Sequence, residues 1–216
     1  MRITYLLITL CVVFFFWNTS VVDHWLMYDT VPGWNGLYAL LLGQSDTGPL
    51  FFQISHGEIW RLFSPAFLHR DLMHLAFNML WLWVLGRPIE ERIGAVRTVV
   101  LTLILAAVSN TAQYLMSGPL FLGYSGVALG LAGFTWSREK IAPWEGYPLH
   151  RSTVLFLVIY VLALMGLQVV SFILMFFKNV SFSASIANTA HIAGALTGLS
   201  LGRLKFFAHR KSHEHA

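Results

Sequence analysis

Six apolar runs, several closed by arginine, leave this chain few folds to choose from. They extend from Ile3 to Val22, Leu72 to Gly86, Ala95 to Met116, Ser125 to Trp136, Ser152 to Phe177 and Asn188 to Phe206. The chain is 56% hydrophobic and 11% charged, where a soluble domain carries about a quarter charged residues. In hydrocarbon the backbone must bond to itself, so the runs are read as helices. The expectation is an all-α polytopic membrane protein with six transmembrane helices, one domain over residues 1–216, a helical core over 3–206 and a cytoplasmic tail over 207–216.

The second, fourth and sixth runs are short for complete spans, which need about 20 residues. Each opens on a polar side chain and closes on an arginine: His74 to Arg87, Ser125 to Arg138, His191 to Arg203. At about 1.5 Å per helical residue, each polar group lies about 18–20 Å from its arginine. If the arginines mark one interface of a core about 30 Å thick, all three polar groups sit roughly 10 Å below the other face. Non-helical backbone completing the short spans is tolerated there only beside protein or a water-filled cavity. A serine and two histidines level with one another in a wet pocket form a candidate catalytic site.

Cationic residues orient the bundle. Arg2, Arg87, Arg92, Arg97, Arg138, Lys140, Arg151, Arg203, Lys205, Arg210 and Lys211 fall on one side of a six-helix arrangement, and Arg61, Arg70 and Lys178 on the other. This bias places both termini in the cytoplasm and the pocket toward the outer side. The net charge of +4 reflects that orientation and does not suggest nucleic-acid binding. The N-terminal run ends in Trp17-Asn18-Thr19-Ser20 without a small-residue cleavage site, so it is expected to stay as a span. The segment from Asp23 to Phe63, too apolar for disorder, is expected to lie partly helical in the outer interface. Cys11, alone in an apolar run, is expected to be buried and unreactive.

Gly123-Tyr124-Ser125-Gly126 falls between a loop and a helix start. Serine is a good N-cap, helix N-termini favour developing negative charge, and the flanking glycines permit close approach of a substrate backbone. Ala190, Gly194, Gly198 and Gly202 recur every four residues, as do Gly126 and Gly130. Such small-residue faces let membrane helices pack backbone to backbone, which would bring Ser125 toward His191. His74 and Asn78 share one helix face, and both donate hydrogen bonds without carrying fixed charge. A metal site from His69, His74 and Asn78 is disfavoured because asparagine is a poor ligand and no HExxH is present. The histidines His209, His213 and His215 are read as a solvated tail.

GYSG at 123–126, AHIAG at 190–194 and H-x4-H-x3-N at 69–78 resemble bacterial rhomboid intramembrane serine proteases. So do Glu58-Ile59-Trp60-Arg61, Glu90-Glu91-Arg92-Ile93-Gly94 and Ser117-Gly118-Pro119. The resemblance runs in order from Glu58 to Leu204 and is to the minimal six-helix form. It implies a Ser125–His191 dyad, an oxyanion site of His74, Asn78 and the Ser125 amide, and supporting roles for Gly123, Gly126, His69, Gly194 and Gly198. It implies structural roles for Trp60, Arg61, Glu90 and Arg92. Its implied substrates are transmembrane proteins of the bacterial inner membrane, cut near the outer end of a span, with no cofactor, metal or nucleic acid involved. One departure is Leu129, where several relatives carry an aromatic ring against the catalytic histidine.

Two other readings compete. A rhomboid-like binder of transmembrane helices would not cut, but such proteins typically lack the serine or the histidine. A small transporter using His74 and His191 would want an inverted repeat or an intramembrane carboxylate. The connection from Lys178 to Ala187 is expected to cap the pocket, with Phe182 and Ile186 as its plugs.

Overall fold

The computed structural model describes residues 2–17, 24–27, 36–37, 49–148, 151–178 and 187–209, without the side chains of residues 168, 171, 172 and 175–178. The regular secondary structure among these is helical. Helix α1 is Arg2–Phe16 and α2 is the short Phe52–Ser55. The later helices are α3 (Leu72–Trp81), α4 (Arg87–Ile93), α5 (Ala95–Ser117), α6 (Ser125–Ile141), α7 (Arg151–Lys178) and α8 (Asn188–Leu201). Judged on the described residues by length and composition, α5 is the one helix able to cross a bilayer unaided, with mean hydropathy 1.6.

The second apolar run ends at Gly86, but the helix does not. Leu82–Gly86 is a π turn that passes directly into α4. Pro88 has no N–H to give the Val84 carbonyl, so the ladder widens by one residue and continues. Gly94 then stops it at φ 83°, ψ 165°, a conformation open to glycine. The hydrophobic pattern therefore marks where the apolar stretch ends, while α4 carries Arg87, Glu90, Glu91 and Arg92 beyond it.

Helix α6 is the centre of the bundle, buried on all sides from Gly126 to Thr135. Its tightest neighbour is α8, and the contact is backbone on backbone. A methyl built on Gly194 would lie 2.0 Å from the Gly126 carbonyl oxygen, and one on Gly198 would lie 1.8 Å from that of Gly130. In return, one on Gly133 would lie 2.3 Å from the Ala195 carbonyl oxygen. Helix α5 covers another side, where Leu105 fills the space over Gly130. Helix α7 leans on α3 through aromatic rings: Phe77 against Tyr160 at 5.1 Å and Trp81 stacked on Phe156 at 5.8 Å. Its other face exposes Leu155, Val158, Ile159 and Leu162, an apolar surface of the kind lipid covers.

Polar side chains gather at the two ends. At the basic end, Glu90 accepts from the amides of Ile3 (3.0 Å) and Thr4 (2.9 Å) and from the Thr4 hydroxyl (2.7 Å). These bonds satisfy orphan donors of α1. Burial alone would raise the Glu90 carboxyl, but the Thr4 and Ile3 donors outweigh it and hold the group down to about 2. At the same end Arg138 is buried in an ion pair with Glu145 (Nε to Oε2 2.8 Å) and donates to the Gly202 carbonyl at 3.1 Å. The packed structure also passes residue 206: Phe207 is buried, and the His209 amide donates to Glu145 at 2.9 Å, so His209 is no part of a free tail. At the opposite end Arg61, counted above among outer-side charges, is buried. It pairs with Glu58 and donates to the carbonyls of His24 (2.9 Å) and Met27 (2.6 Å).

Candidate active site

Four chain segments converge at the end of the bundle opposite Arg138. Helix α3 begins at Asp71, whose carboxylate accepts from the His74 amide at 2.8 Å. That bond caps the helix and holds the exposed Asp71 carboxyl below its usual range. One turn apart on α3, His74 is half-buried and Asn78 buried. The loop before α6 is tied down where the Gly123 amide donates to the Pro65 carbonyl at 3.0 Å. Gly123 has φ 118°. A methyl there would lie 2.6 Å from Cε1 and 2.7 Å from Nε2 of His74, and 3.6 Å from Asn78 Nδ2. A side chain at 123 would therefore collide with the His74 ring and touch the Asn78 amide.

Ser125 is the first residue of α6, and Tyr124 occupies the cap position with no side-chain cap bond. Serine here is thus not the N-cap that residue type alone suggested. Its Oγ lies 2.8 Å from His191 Nε2 instead. His191 sits in the first turn of α8, and that turn is held by Gln113 of α5, whose amide oxygen accepts from the Ala190 N–H at 3.0 Å. If Ser125 donates to Nε2, the ring hydrogen of His191 is on Nδ1. Nδ1 is buried without a protein partner, as are Asn78 Nδ2 and His74 Nδ1. The pair is therefore two-membered among the described residues, with unengaged donors on α3 beside it. His69 is buried, with Nδ1 3.2 Å from the Phe67 carbonyl and its ring 5.2 Å from that of His74. Among the described residues no group of three or more His, Cys, Asp or Glu is placed to hold a metal.

Ser125, His74 and His191 line one cavity of about 380 Å³, shared with Met27, Arg70, Phe121 and Tyr160. Asn78, Leu129 and Tyr160 line a smaller recess under Ser125. Gly126, Gly194 and Gly198 lie in the α6–α8 seam. Sequence reading missed Tyr160, Arg70 and Gln113. Gln113 and Tyr160 are polar groups inside apolar runs, the signal that singled out His191. Most of the connection expected to cap the pocket, including Phe182 and Ile186, lies outside the described residues.

A hydrogen-bonded serine and histidine facing a cavity within an all-helical, apolar-surfaced bundle define a class narrower than the fold alone. Residues 56–207 match the Rhomboid domain family, and the chain belongs to that family. Among its relatives are proteins named Rhomboid protease GlpG. One from Klebsiella pneumoniae is 42% identical over 144 residues, one from Salmonella newport 39% and one from Salmonella paratyphi A 38%. Each match covers 67% of this chain and 48% of the relative, so the matched region is about half the length of the curated relatives.

Proposed function

We propose that this protein is an intramembrane serine endopeptidase that hydrolyses peptide bonds in or near transmembrane segments of membrane-protein substrates. In this reading it is a single rhomboid domain of six spans in a bacterial inner membrane. Both termini are cytoplasmic and the cavity opens outward. The observation that carries the proposal is the 2.8 Å contact between Ser125 Oγ and His191 Nε2 on the wall of a cavity.

Ser125 Oγ attacks the scissile carbonyl carbon while His191 Nε2 takes the hydroxyl proton. The carbonyl oxygen becomes an oxyanion, which His74, the Asn78 amide and the Ser125 backbone N–H stabilise. As first residue of α6, Ser125 has an N–H without an intrahelical acceptor, in the positive end of the helix dipole. The C–N bond then breaks, and the imidazolium delivers its proton to the leaving amine. Water from the outer side attacks the acyl-enzyme with His191 again as base, releasing the acid and restoring Ser125. No cofactor enters any step.

Labelling by a serine-directed fluorophosphonate tests the proposal. Wild type should be labelled and should cut a transmembrane substrate; Ser125→Ala and His191→Ala should do neither. The double variant should be no worse than either single one, because the pair acts as a unit. A folded Ser125→Ala protein that still cuts would exclude Ser125 as nucleophile.

A further inference from the structure

The cavity holding Ser125 and His191 has one formally charged residue among its described lining, Arg70. The rest of that wall is apolar, such as Leu120, Phe121 and Leu164, or polar without a fixed charge, such as Ser125 and Tyr160. Arg70 immediately precedes the α3 cap and is exposed. Its neighbour Asp71 is engaged by the His74 amide, and Glu58 is taken by Arg61. Among the described residues no carboxylate lies within ion-pair distance of Arg70. The nucleophile therefore shares its cavity with an uncommitted guanidinium, a group whose planar fork matches a carboxylate.

We propose that Arg70 is a specificity-determining residue that selects substrates carrying Asp or Glu close to the scissile bond. The inference rests on the protease reading above. A sphere of 380 Å³ is about 9 Å across, the length of about three extended residues. Arg70 thus reads side chains within about three residues of the bond that is cut. An acidic residue is costly in hydrocarbon, so the selected substrate class has its carboxylate just outside the membrane core, beside the cleavage site. A lysine at the same place is disfavoured by like charge. A plain interfacial anchor would not rank substrates at all.

The test uses full-length protein in vesicles of zwitterionic lipid. Its substrates form one transmembrane series in which Asp, Asn or Lys is placed in turn at positions on both sides of the scissile bond. Wild type should prefer Asp over Lys by about fivefold to tenfold in kcat/KM at one or two adjacent positions, the scale of a partly exposed ion pair. Arg70→Lys should keep that ranking, Arg70→Gln should abolish it and Arg70→Glu should invert it. The ranking is a ratio within each variant, so a change in overall rate does not conceal it, and Arg70→Gln decides the matter if Arg70→Glu does not fold. If wild type cuts the Asn parent but treats Asp and Lys alike throughout, the inference is overturned and the protease reading stands. If wild type cuts nothing and takes no fluorophosphonate, both fall.

Discussion

Gly194→Ala adds one methyl group at the closest crossing of α6 and α8. That methyl would lie 2.0 Å from the Gly126 carbonyl oxygen, against the 3.0 Å below which real Cβ contacts are essentially never found. The helices must therefore separate by about 1 Å at least. Gly126 adjoins Ser125, and Gly194 is one turn from His191, so the shift falls on the Ser125–His191 pair. A 2.8 Å hydrogen bond lengthened by about 1 Å is no longer one. Misplacement on this scale costs about 100-fold in rate, and overpacking costs about 1–3 kcal/mol in stability. Gly166→Ala on α7 is the control: its methyl meets nothing within 4 Å, and it gains up to about 1 kcal/mol of helix propensity. Both variants would be assayed for substrate turnover in vesicles and for thermal unfolding in mild detergent. If Gly194→Ala matches Gly166→Ala in both assays, the backbone seam does not set the position of His191.

His74→Ala and Asn78→Ala should each slow turnover without abolishing it, by at most about 2.7–4 kcal/mol in the barrier; wild-type rates for both in a bilayer would remove them from the oxyanion site. Glu90 should make stability fall in acid. Its folded carboxyl is held down to about 2 from 4.5, so its contribution is complete above pH 4.5 and lost as pH falls from there toward 2. Thermal unfolding of wild type should decline more steeply than that of Glu90→Gln between pH 5 and pH 3, and parallel curves would show that Glu90 is not held by Thr4 and Ile3.

Much of the fold was legible because lipid narrows the choices. The apolar runs of the described residues became helices at nearly their expected starts: Ala95 for α5, Ser125 for α6 and Asn188 for α8. The 12- and 13-residue spacings to Arg138, Arg203 and Arg87 give position along a helix axis, and that is what the pattern encodes. Rotation about the axis is not encoded. A helix apolar on every side, such as α6, has no polar face to orient it, and the apolar residues around Tyr160 leave its inward turn unmarked. Glycine spacing was the exception, because a small-residue stripe marks an azimuth and a distance together.

A one-dimensional charge count does not reveal which charges are paired. Arg61 and Arg138 are each buried against a glutamate and backbone carbonyls. Glu145 lies seven residues beyond Arg138 and past the end of α6, so no helical i,i+4 rule pairs them. Breaking such a pair leaves an uncompensated buried charge, which costs about 3–5 kcal/mol. Buried pairs of this kind hold the ends of the bundle, while the middle is held by close backbone contact. In this arrangement Arg70 differs from both buried arginines. Among the described residues no glutamate pairs with it, and it lines the cavity of Ser125 and His191.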